Sequence, residues 1–313
     1  MSLQRSSSSI WRIGARGSRL ARAQAAIVRE TLASVCGFAG ELVAIKTTGD
    51  RIKDRPLAEA GGKGLFAREL EDALLAERID MAVHSMKDLP AILPDGLTIA
   101  AILPRETPLD AFISAAAKHL EDLPRGARLG TSSVRRAAQA ARRRPDLRIL
   151  PLRGNVDTRL AKLDAGEMDA VILAAAGLKR LGLEARAVSV LSADSWLPAL
   201  SQGAIGIEMR SGDTRRAAIH KAMNDEASAI ALACERAFQG ALDGSCRTPI
   251  AGLAIWAAGK LRFRGEVLAP DGSACETCHV ELQLGDDPVA EAERVGREAG
   301  LAIRDRAQAW LDL

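Results

Sequence analysis

The amino-acid sequence predicts an α/β protein: two lobes of similar layout joined by a double crossover, then a small α+β domain with a three-stranded antiparallel sheet. Three observations carry this. Strand and helix signals alternate through the first part of the chain and then repeat in the same order. Two prolines, Pro104 and Pro108, mark a joint between the two runs. Beyond about residue 227 the period changes to short alternating strands separated by turn dipeptides. At 313 residues the chain has the length for two or three domains. We assign residues 10–104, with a return segment at 200–221, to the first lobe, 105–199 to the second, and 222–313 to the third domain.

The elements follow in order. Residues 11–15 read as a strand, and Ser18 as the N-cap of a helix running to about residue 33. Residues 41–46 form a second strand, ending in Thr47-Thr48-Gly49-Asp50. A helix over 65–77 carries Phe66, Leu70, Ala73 and Leu74 on one face. Residues 81–84 begin a third strand, which Pro90 must end or push to an edge. This order implies a parallel sheet with right-handed crossovers.

In the second lobe, 128–130 is a strand end, Thr131-Ser132-Ser133 a cap, and 134–144 a helix stopped by Pro145. A strand at 147–152, a helix at 156–165 and a strand at 170–174 follow. Segments 196–198 and 204–209 read as a return crossing into the first lobe. Lobes joined in this way leave a cleft at the carboxyl ends of their strands, where open α/β sheets bind ligands. The third domain opens with an alanine-rich helix at 227–242. Strands at 250–256, 261–268 and 276–284 come next, with Ala258-Gly259 and Pro270-Asp271-Gly272 as turns, and a helix over 289–311 closes the chain.

Composition removes several classes. A chain with 48% hydrophobic and 27% charged residues is neither disordered nor collagen-like. No apolar run reaches the roughly 18 residues that span a bilayer. Residues 1–11 are serine-rich without an apolar core, so we read no signal peptide. Five cysteines, an odd number, argue against a disulfide framework and for a reducing, cytoplasmic setting. A net charge of +3 is too small to argue for nucleic-acid binding, so any anion site must come from locally clustered arginines. Aromatic residues make up 3% and tyrosine is absent, which leaves Ala, Leu, Ile and Val to build the core.

Several groups could carry chemistry. Lys87 and Asp88 lie in His84-Ser85-Met86-Lys87-Asp88-Leu89-Pro90, at the end of a strand facing the cleft. That place suits acid–base work, although a plain surface turn also accounts for the pair. Arg16 precedes the Ser18 helix start, Arg135 and Arg136 follow the Ser132-Ser133 start, and Arg153 and Arg159 flank the start at Gly154-Asn155. Helix starts favour carboxylates and phosphates, so three of them with arginines point to a ligand of many negative charges. Arg142, Arg143 and Arg144 read instead as a solvated helix end. Gly61-Gly62-Lys63-Gly64 fails as a phosphate loop, because Leu57 replaces the first glycine and Gly64 the magnesium-binding hydroxyl residue; it reads as a mobile loop over the cleft. Cys275-Glu276-Thr277-Cys278-His279 spells a haem-attachment motif, but in a strand the two thiols face opposite ways, and we read it as coincidence. Cys36 and Cys234 fall in helical patterns and read as core. For Cys246, in a loop between Gly244 and Pro249, exposed nucleophile and buried thiol both remain open.

Taken together, these runs resemble the porphobilinogen deaminase family, the hydroxymethylbilane synthases. The resemblance is carried by Lys46-Thr47-Thr48-Gly49-Asp50, Gly61-Gly62-Lys63-Gly64-Leu65-Phe66 and the segment 84–90. Leu129-Gly130-Thr131-Ser132-Ser133-Val134-Arg135-Arg136 and Leu152-Arg153-Gly154-Asn155-Val156 extend it. So do Ala175-Ala176-Gly177-Leu178-Lys179-Arg180 and Gln202-Gly203-Ala204-Ile205-Gly206-Ile207-Glu208. It covers about residues 12–251, and the third domain matches in layout only.

The resemblance implies two periplasmic-binding-protein-like lobes and a transferase of tetrapyrrole and heme biosynthesis. Such an enzyme joins four porphobilinogen molecules head to tail, releasing ammonia, to give hydroxymethylbilane. It implies one dipyrromethane cofactor per chain, in thioether linkage to Cys246, and an acid–base role for Asp88 with Lys87 beside it. Lys87, Asp88, Ser132, Arg135, Arg136 and Cys246 would bind the cofactor. Arg16, Ser18, Phe66, Ser133, Arg153, Gly154, Asn155, Arg159, Arg180 and Gln202 would bind substrate, and no metal is implied. Arg19, Arg22, Ser201 and Arg247-Thr248 depart from the family pattern; Ser201 stands where glycine is usual. Expected partners are porphobilinogen alone, with no nucleic acid and no membrane, and the chain is expected to be a monomer. The rival reading is a non-enzymatic two-lobed solute-binding protein for a polycarboxylate; the loop cysteine and third domain count against it.

Overall fold

The computed structural model describes residues 10–51, 64, 66–242 and 248–311. Lobe 1 opens with β1 (Trp11–Arg16), α1 (Arg19–Thr31), β2 (Gly40–Ile45) and the short α2 (Thr48–Arg51). It continues through α3 (Arg68–Leu75), β3 (Met81–Ser85) and β4 (Leu97–Ile102). Ser18 caps α1 by accepting from the Ala21 amide, and one wide turn over Leu32–Cys36 prolongs that helix. Helix α3 is shorter than its periodicity predicts: Phe66 lies before it, while Leu70, Ala73 and Leu74 are buried as expected.

Lobe 2 runs through β5 (Asp110–Ser114), β6 (Arg128–Gly130), α4 (Val134–Arg143), β7 (Arg148–Leu150), α5 (Val156–Asp164) and β8 (Ala170–Ala174). It ends with α6 (Ala175–Arg180) and β9 (Ser189–Val190). The chain then crosses back as β10 (Ile205–Arg210) and α7 (Arg216–Met223). The last part is α8 (Glu226–Ala241), β11 (Ile250–Ala257), β12 (Lys260–Leu268), β13 (Cys275–Gln283) and α9 (Pro288–Leu311).

The first sheet has the order β2-β1-β3-β10-β4, the second β7-β6-β8-β5-β9, and the third β11-β12-β13. The expectation of parallel sheets needs correction. Strands β1, β2 and β3 are parallel, but the returning β10 runs antiparallel to both β3 and β4. In lobe 2, β5 is likewise antiparallel to β8. Each lobe therefore carries a mixed sheet, because one strand enters it from the other lobe's side. Pro90 does not push β3 to an edge; β3 ends five residues earlier, inside the sheet. Of the two segments expected to return, only β10 joins the first sheet; Trp196 stays in the lobe 2 core with Phe112, Leu129 and Ile172.

Both faces of the first sheet are covered. Ile13, Met81, Val83 and Ile207 pack with Val28 of α1 and Ile219 of α7, and Ala82 and Leu97 pack under Leu70 and Leu74 of α3. In the third domain Phe238 of α8 meets Phe263 of β12 edge-on, with ring centroids 4.9 Å apart. No helix among the described residues is long and apolar enough to cross a membrane.

A buried ion cluster pins the start of β3. The Asp80 carboxylate accepts from the backbone and side chain of Arg12, at 2.8 to 3.1 Å, and from Arg215 at 3.1 Å. Burial alone would raise this carboxyl, but the hydrogen bonds from Arg12 and Arg215 overcome it and bring it down to about 2. A depressed carboxyl stabilises the fold above its unfolded value near 4, and that stabilisation is lost as pH falls toward 2. With screening at the partly exposed arginines allowed for, Asp80→Asn should cost about 1–2 kcal/mol at pH 7 and much less at pH 2–3. Urea unfolding at both pH values measures it; an equal gap at the two would remove Asp80 from the acid response.

Candidate active site

The carboxyl end of β3 runs into a single tight turn, Met86–Asp88. Met86 donates its amide to the Ala204 carbonyl at 3.1 Å, which ties the turn to the crossing segment. Asp88 is exposed at its tip, and it shares a cavity with Arg16, Ser18, Phe66, His84 and Ser85. The Arg16 guanidinium lies 4.0 Å over the Phe66 ring, and that ring fills the space where a Cβ on Gly49 would sit. Below the turn, His84 pairs with the buried Glu208 at 2.9 Å, and Ser85 donates to Gln24 at 2.9 Å.

Lys87 reaches the other lobe through the returning segment. Its Nζ donates to Gln202 Oε1 at 3.1 Å. The Gln202 amide nitrogen in turn donates to Pro108 O at 2.7 Å and to Asp110 Oδ1 at 2.9 Å. Burial brings the Lys87 ammonium down to about 8, against the pull of Asp88 and Asp110.

The helix starts of lobe 2 are built as their caps predict. Ser133 accepts from the Arg136 amide at 3.4 Å, and Asn155 Oδ1 from the Thr158 amide at 2.8 Å. Ser132 accepts from the Leu152 amide at 3.0 Å, joining the β6 cap to the loop that carries Arg153 and Gly154. Arg159 is held by the Gly154 carbonyl at 2.9 Å. Burial lowers its guanidinium to about 10; Arg136 and Arg153 add to this by repulsion, and Asp88 opposes it from the other lobe. Burial likewise lowers Arg180, which donates to Gly203 O at 2.5 Å.

Arg135 and Arg136 sit deeper than expected. Rather than lining an open edge, both are about 5% exposed and donate to the two oxygens of Asp110, at 2.8 and 2.6 Å. Asp110 was not among the residues singled out from the sequence; the only signal for it is that two adjacent buried arginines need a buried carboxylate. Both arginines keep a buried Nε without a hydrogen-bond partner. Arg142 and Arg143 are exposed as expected, but Arg144 is not solvated: it binds Asp146 and the carbonyls of Leu120, Glu121 and Leu123.

Among the cysteines, Cys234 is buried, whereas Cys36 is only half-buried. Cys275 and Cys278 pair in register with Leu268 and Gly265, so strand alternation puts them on opposite faces. Cys246, with the loop Asp243 to Arg247, and Gly61, Gly62 and Lys63 lie outside the described residues. Arg19, one of the departures, links the lobes by donating to Asp157 at 2.7 Å and to Leu181 O at 3.2 Å. Arg22 is exposed, and nothing in the structure explains it. Ser201 adopts a left-handed φ of 60°, which accounts for the glycine expected there.

Two mixed-sheet lobes, with an exposed carboxylate on one and buried arginines on the other, define a two-lobed cleft protein. Family comparison makes the class specific. Residues 11–218 match the model described as porphobilinogen deaminase, dipyromethane cofactor binding domain, and residues 229–305 match the porphobilinogen deaminase C-terminal domain. The porphobilinogen deaminase of Paracoccus denitrificans (strain Pd 1222) is 52% identical over 95% of both chains. That of Nitrobacter hamburgensis is 50% identical over 94% of this chain and 93% of its own. The chain belongs to the porphobilinogen deaminase family. Among solved structures, the Bordetella pertussis BvgS periplasmic VFT2 domain aligns with a TM-score of 0.41 at 16% identity, over 68% of this chain and 86% of its own, a likeness too weak to bear on function.

At Gly203 the crossing backbone lies against the joint between the lobes, with the Glu106 amide donating to the Gly203 carbonyl at 3.3 Å. Its φ is 91°, and an added Cβ would lie 2.2 Å from the Glu106 carbonyl oxygen. Gly203→Ala should lower stability by about 2 kcal/mol or more, read as a drop in urea midpoint. A wild-type midpoint would mean that the crossing gives way easily.

Proposed function

We propose that the chain works as a hydroxymethylbilane synthase, joining four porphobilinogen units head to tail with release of one ammonia each and then freeing the linear product by hydrolysis. One observation supports this most directly: Arg159 of lobe 2 feels Asp88 of lobe 1 as well as Arg136 and Arg153 of its own lobe. Arg159 is largely desolvated with only Asp88 opposing that cost, so an anion brought to it relieves an unfavourable buried charge. Each pyrrole carries two carboxylates, and a growing chain of them needs such partners repeatedly.

The donors present fit a dipyrromethane. Arg135 and Arg136 each hold a buried, unpartnered Nε, and Ser132 stands exposed at the cap beside them. These residues, with Lys87 and Asp88, would hold the cofactor's carboxylates and ring nitrogens. When bound through Cys246, the group supplies the nucleophilic pyrrole carbon that starts the chain. Arg16, Ser18 and Phe66 would hold the incoming substrate from lobe 1, and Ser133, Arg153, Gly154, Asn155, Arg159, Arg180 and Gln202 from the opposite side.

Each addition forms one carbon–carbon bond and breaks one carbon–nitrogen bond, and the proton lost from the pyrrole carbon leaves with ammonia. Asp88 gives a proton to the departing aminomethyl nitrogen and recovers one from that carbon after the new bond has formed. Lys87 keeps a positive charge beside it at neutral pH. The lobes and the third domain would be units bounded at residues 104–105, 199–200 and 221–222. A cytoplasmic monomer is the form we expect to be active.

Two experiments test the reading. Asp88→Asn should keep its fold and covalent adduct while turnover falls about 10²-fold or more; near-normal turnover would remove Asp88 from the chemistry. Intact mass of denatured protein should show the adduct lost in Cys246→Ser and kept in the double variant Cys275→Ser, Cys278→Ser, because only a reactive loop thiol can form the thioether. An adduct that survives Cys246→Ser would sink the attachment site.

A further inference from the structure

We propose that Asp110 is a positioning residue of this site: it fixes the Arg135–Arg136 pair of lobe 2 and, through the side-chain amide of Gln202, holds Lys87 of lobe 1 beside Asp88. The inference rests on the proposed activity for what the site does, and on geometry alone for how it is held.

Asp110 is the first residue of β5 and is 1% exposed. Its carboxylate has four partners, two for each oxygen. Oδ1 accepts from Arg136 at 2.6 Å and from Gln202 Nε2 at 2.9 Å. Oδ2 accepts from Arg135 at 2.8 Å and from Trp196 Nε1 at 2.8 Å. Four donors use the acceptor capacity of a carboxylate, so Asp110 has none to offer a ligand. Burial works against its charge, but the two guanidiniums win and hold it well below the usual carboxylate range. It acts as a fixed anion.

The Gln202 amide passes this constraint on. Both N–H groups are committed, one to Asp110 and one to Pro108 O. The amide cannot flip without losing both bonds, so its oxygen must face Lys87, 3.1 Å away. Without the Asp110 anion, that orientation loses a charge-assisted bond. The charges acting on Lys87 are Asp88 on its own turn, Asp110 on β5, and Arg135 and Arg136 on α4; Arg153 and Arg159 lie beyond Arg136. Removing Asp110 leaves two guanidiniums opposed by Asp88 alone. The ammonium should then lose its proton at lower pH, and the paired arginines should lose the contact that orders them.

The test follows Lys87 directly. Reductive ¹³C-methylation of the holoenzyme gives one NMR titration per lysine, and loss of a signal in Lys87→Arg assigns this one. Relative to the wild-type midpoint, Asp110→Asn should move it down by about one pH unit, and Gln202→Leu in the same direction by less. The adduct measured by intact mass should fall several-fold in Asp110→Asn and persist in Gln202→Leu, which leaves the arginine pair anchored. Asp271→Asn, an equal charge change in an exposed turn, should match wild type in both readouts. An unmoved Lys87 midpoint in folded Asp110→Asn overturns the proposal. If that variant does not fold, an unmoved midpoint in Gln202→Leu overturns it instead. A wild-type chain with neither adduct nor turnover would refute the proposed activity, while the titration would still decide the role of Asp110.

Discussion

The joint between the lobes, the returning crossover and the third domain meet at one buried carboxylate, and their placement depends on satisfying it. Glu235 of α8 is fully buried. Its Oε1 accepts from Arg105 at 2.7 Å and from the Ala254 amide of β11 at 2.8 Å. Its Oε2 accepts from the Ser201 amide at 2.5 Å and again from Arg105 at 3.1 Å. Those donors come from the joint between lobes, the returning crossover and the third domain. An ionised carboxylate buried without them would be very costly, so displacing any one part exposes an unpaired charge. These bonds tie the joint, the crossover and the third domain together. Arg105 adds to the lock by donating Nε to Gln202 O at 2.9 Å, one residue past Ser201. The residue that anchors the third domain thus adjoins the residue that orients Lys87.

A scarcity of aromatic side chains shapes the packing around this point. With no tyrosine, five phenylalanines and four tryptophans, the core has few rings beyond Trp196, Phe112, Phe238 and Phe263. It closes the gap by bringing backbones together. A Cβ on Gly296 of α9 would fall 2.0 Å from the Cys234 carbonyl oxygen of α8, so these helices touch main chain to main chain. Cys234, Phe238 and Ile303 complete that contact. Helix α8 therefore has little freedom along its length. It carries Glu235 inward, and it also carries Arg236, which donates to the Pro90 carbonyl at 2.7 Å and the Ala91 carbonyl at 3.0 Å. The chain leaving the Asp88 turn is braced by the helix that leads toward Cys246.

Local signals made the fold largely legible, and they fell short where burial reverses the usual meaning of a residue. Ser18, Ser133 and Asn155 mark helix starts by capping chemistry that works within three residues, and each does cap. The turns at Gly259 and Gly272 are equally local. Strands β4 and β5 are another matter. Leu97–Ile102 is a short apolar run that fits strand or buried helix alike. Asp110–Ser114 opens on a charge that reads as surface until arginines 25 and 26 residues later are seen to neutralise it. The antiparallel course of β10 is hidden for the same reason, since direction is decided by where the chain has been, not by its own residues. At the site, the place of Asp88 after a strand and of Arg136 and Arg159 in the first turns of helices was legible from local turn and cap signals, although a surface turn accounts for Asp88 equally well. Asp110 and Gln202 as a connected pair were not, because the bond between them spans 92 residues.

The cations of the cleft are of two physical kinds, and the difference bears on how the site meets its ligands. Arg142 and Arg143 are exposed, and water and salt screen such charges within about 8–10 Å. Arg135 and Arg136 are desolvated in advance, Arg159 is half-buried with its guanidinium lowered by burial, and Lys87 is depressed to about 8 for the same reason. Asp110 offsets the cost of removing water from the first two, and Asp88 opposes it at Arg159 and, with Asp110, at Lys87. A carboxylate arriving at such a group loses its own hydration but does not have to strip a second shell, and the attraction it finds is little screened. A net charge of only +3 is therefore no obstacle to holding a polyanion. What counts is that charge of one sign is concentrated where the dielectric is low, and is held there by a carboxylate that a ligand cannot reach.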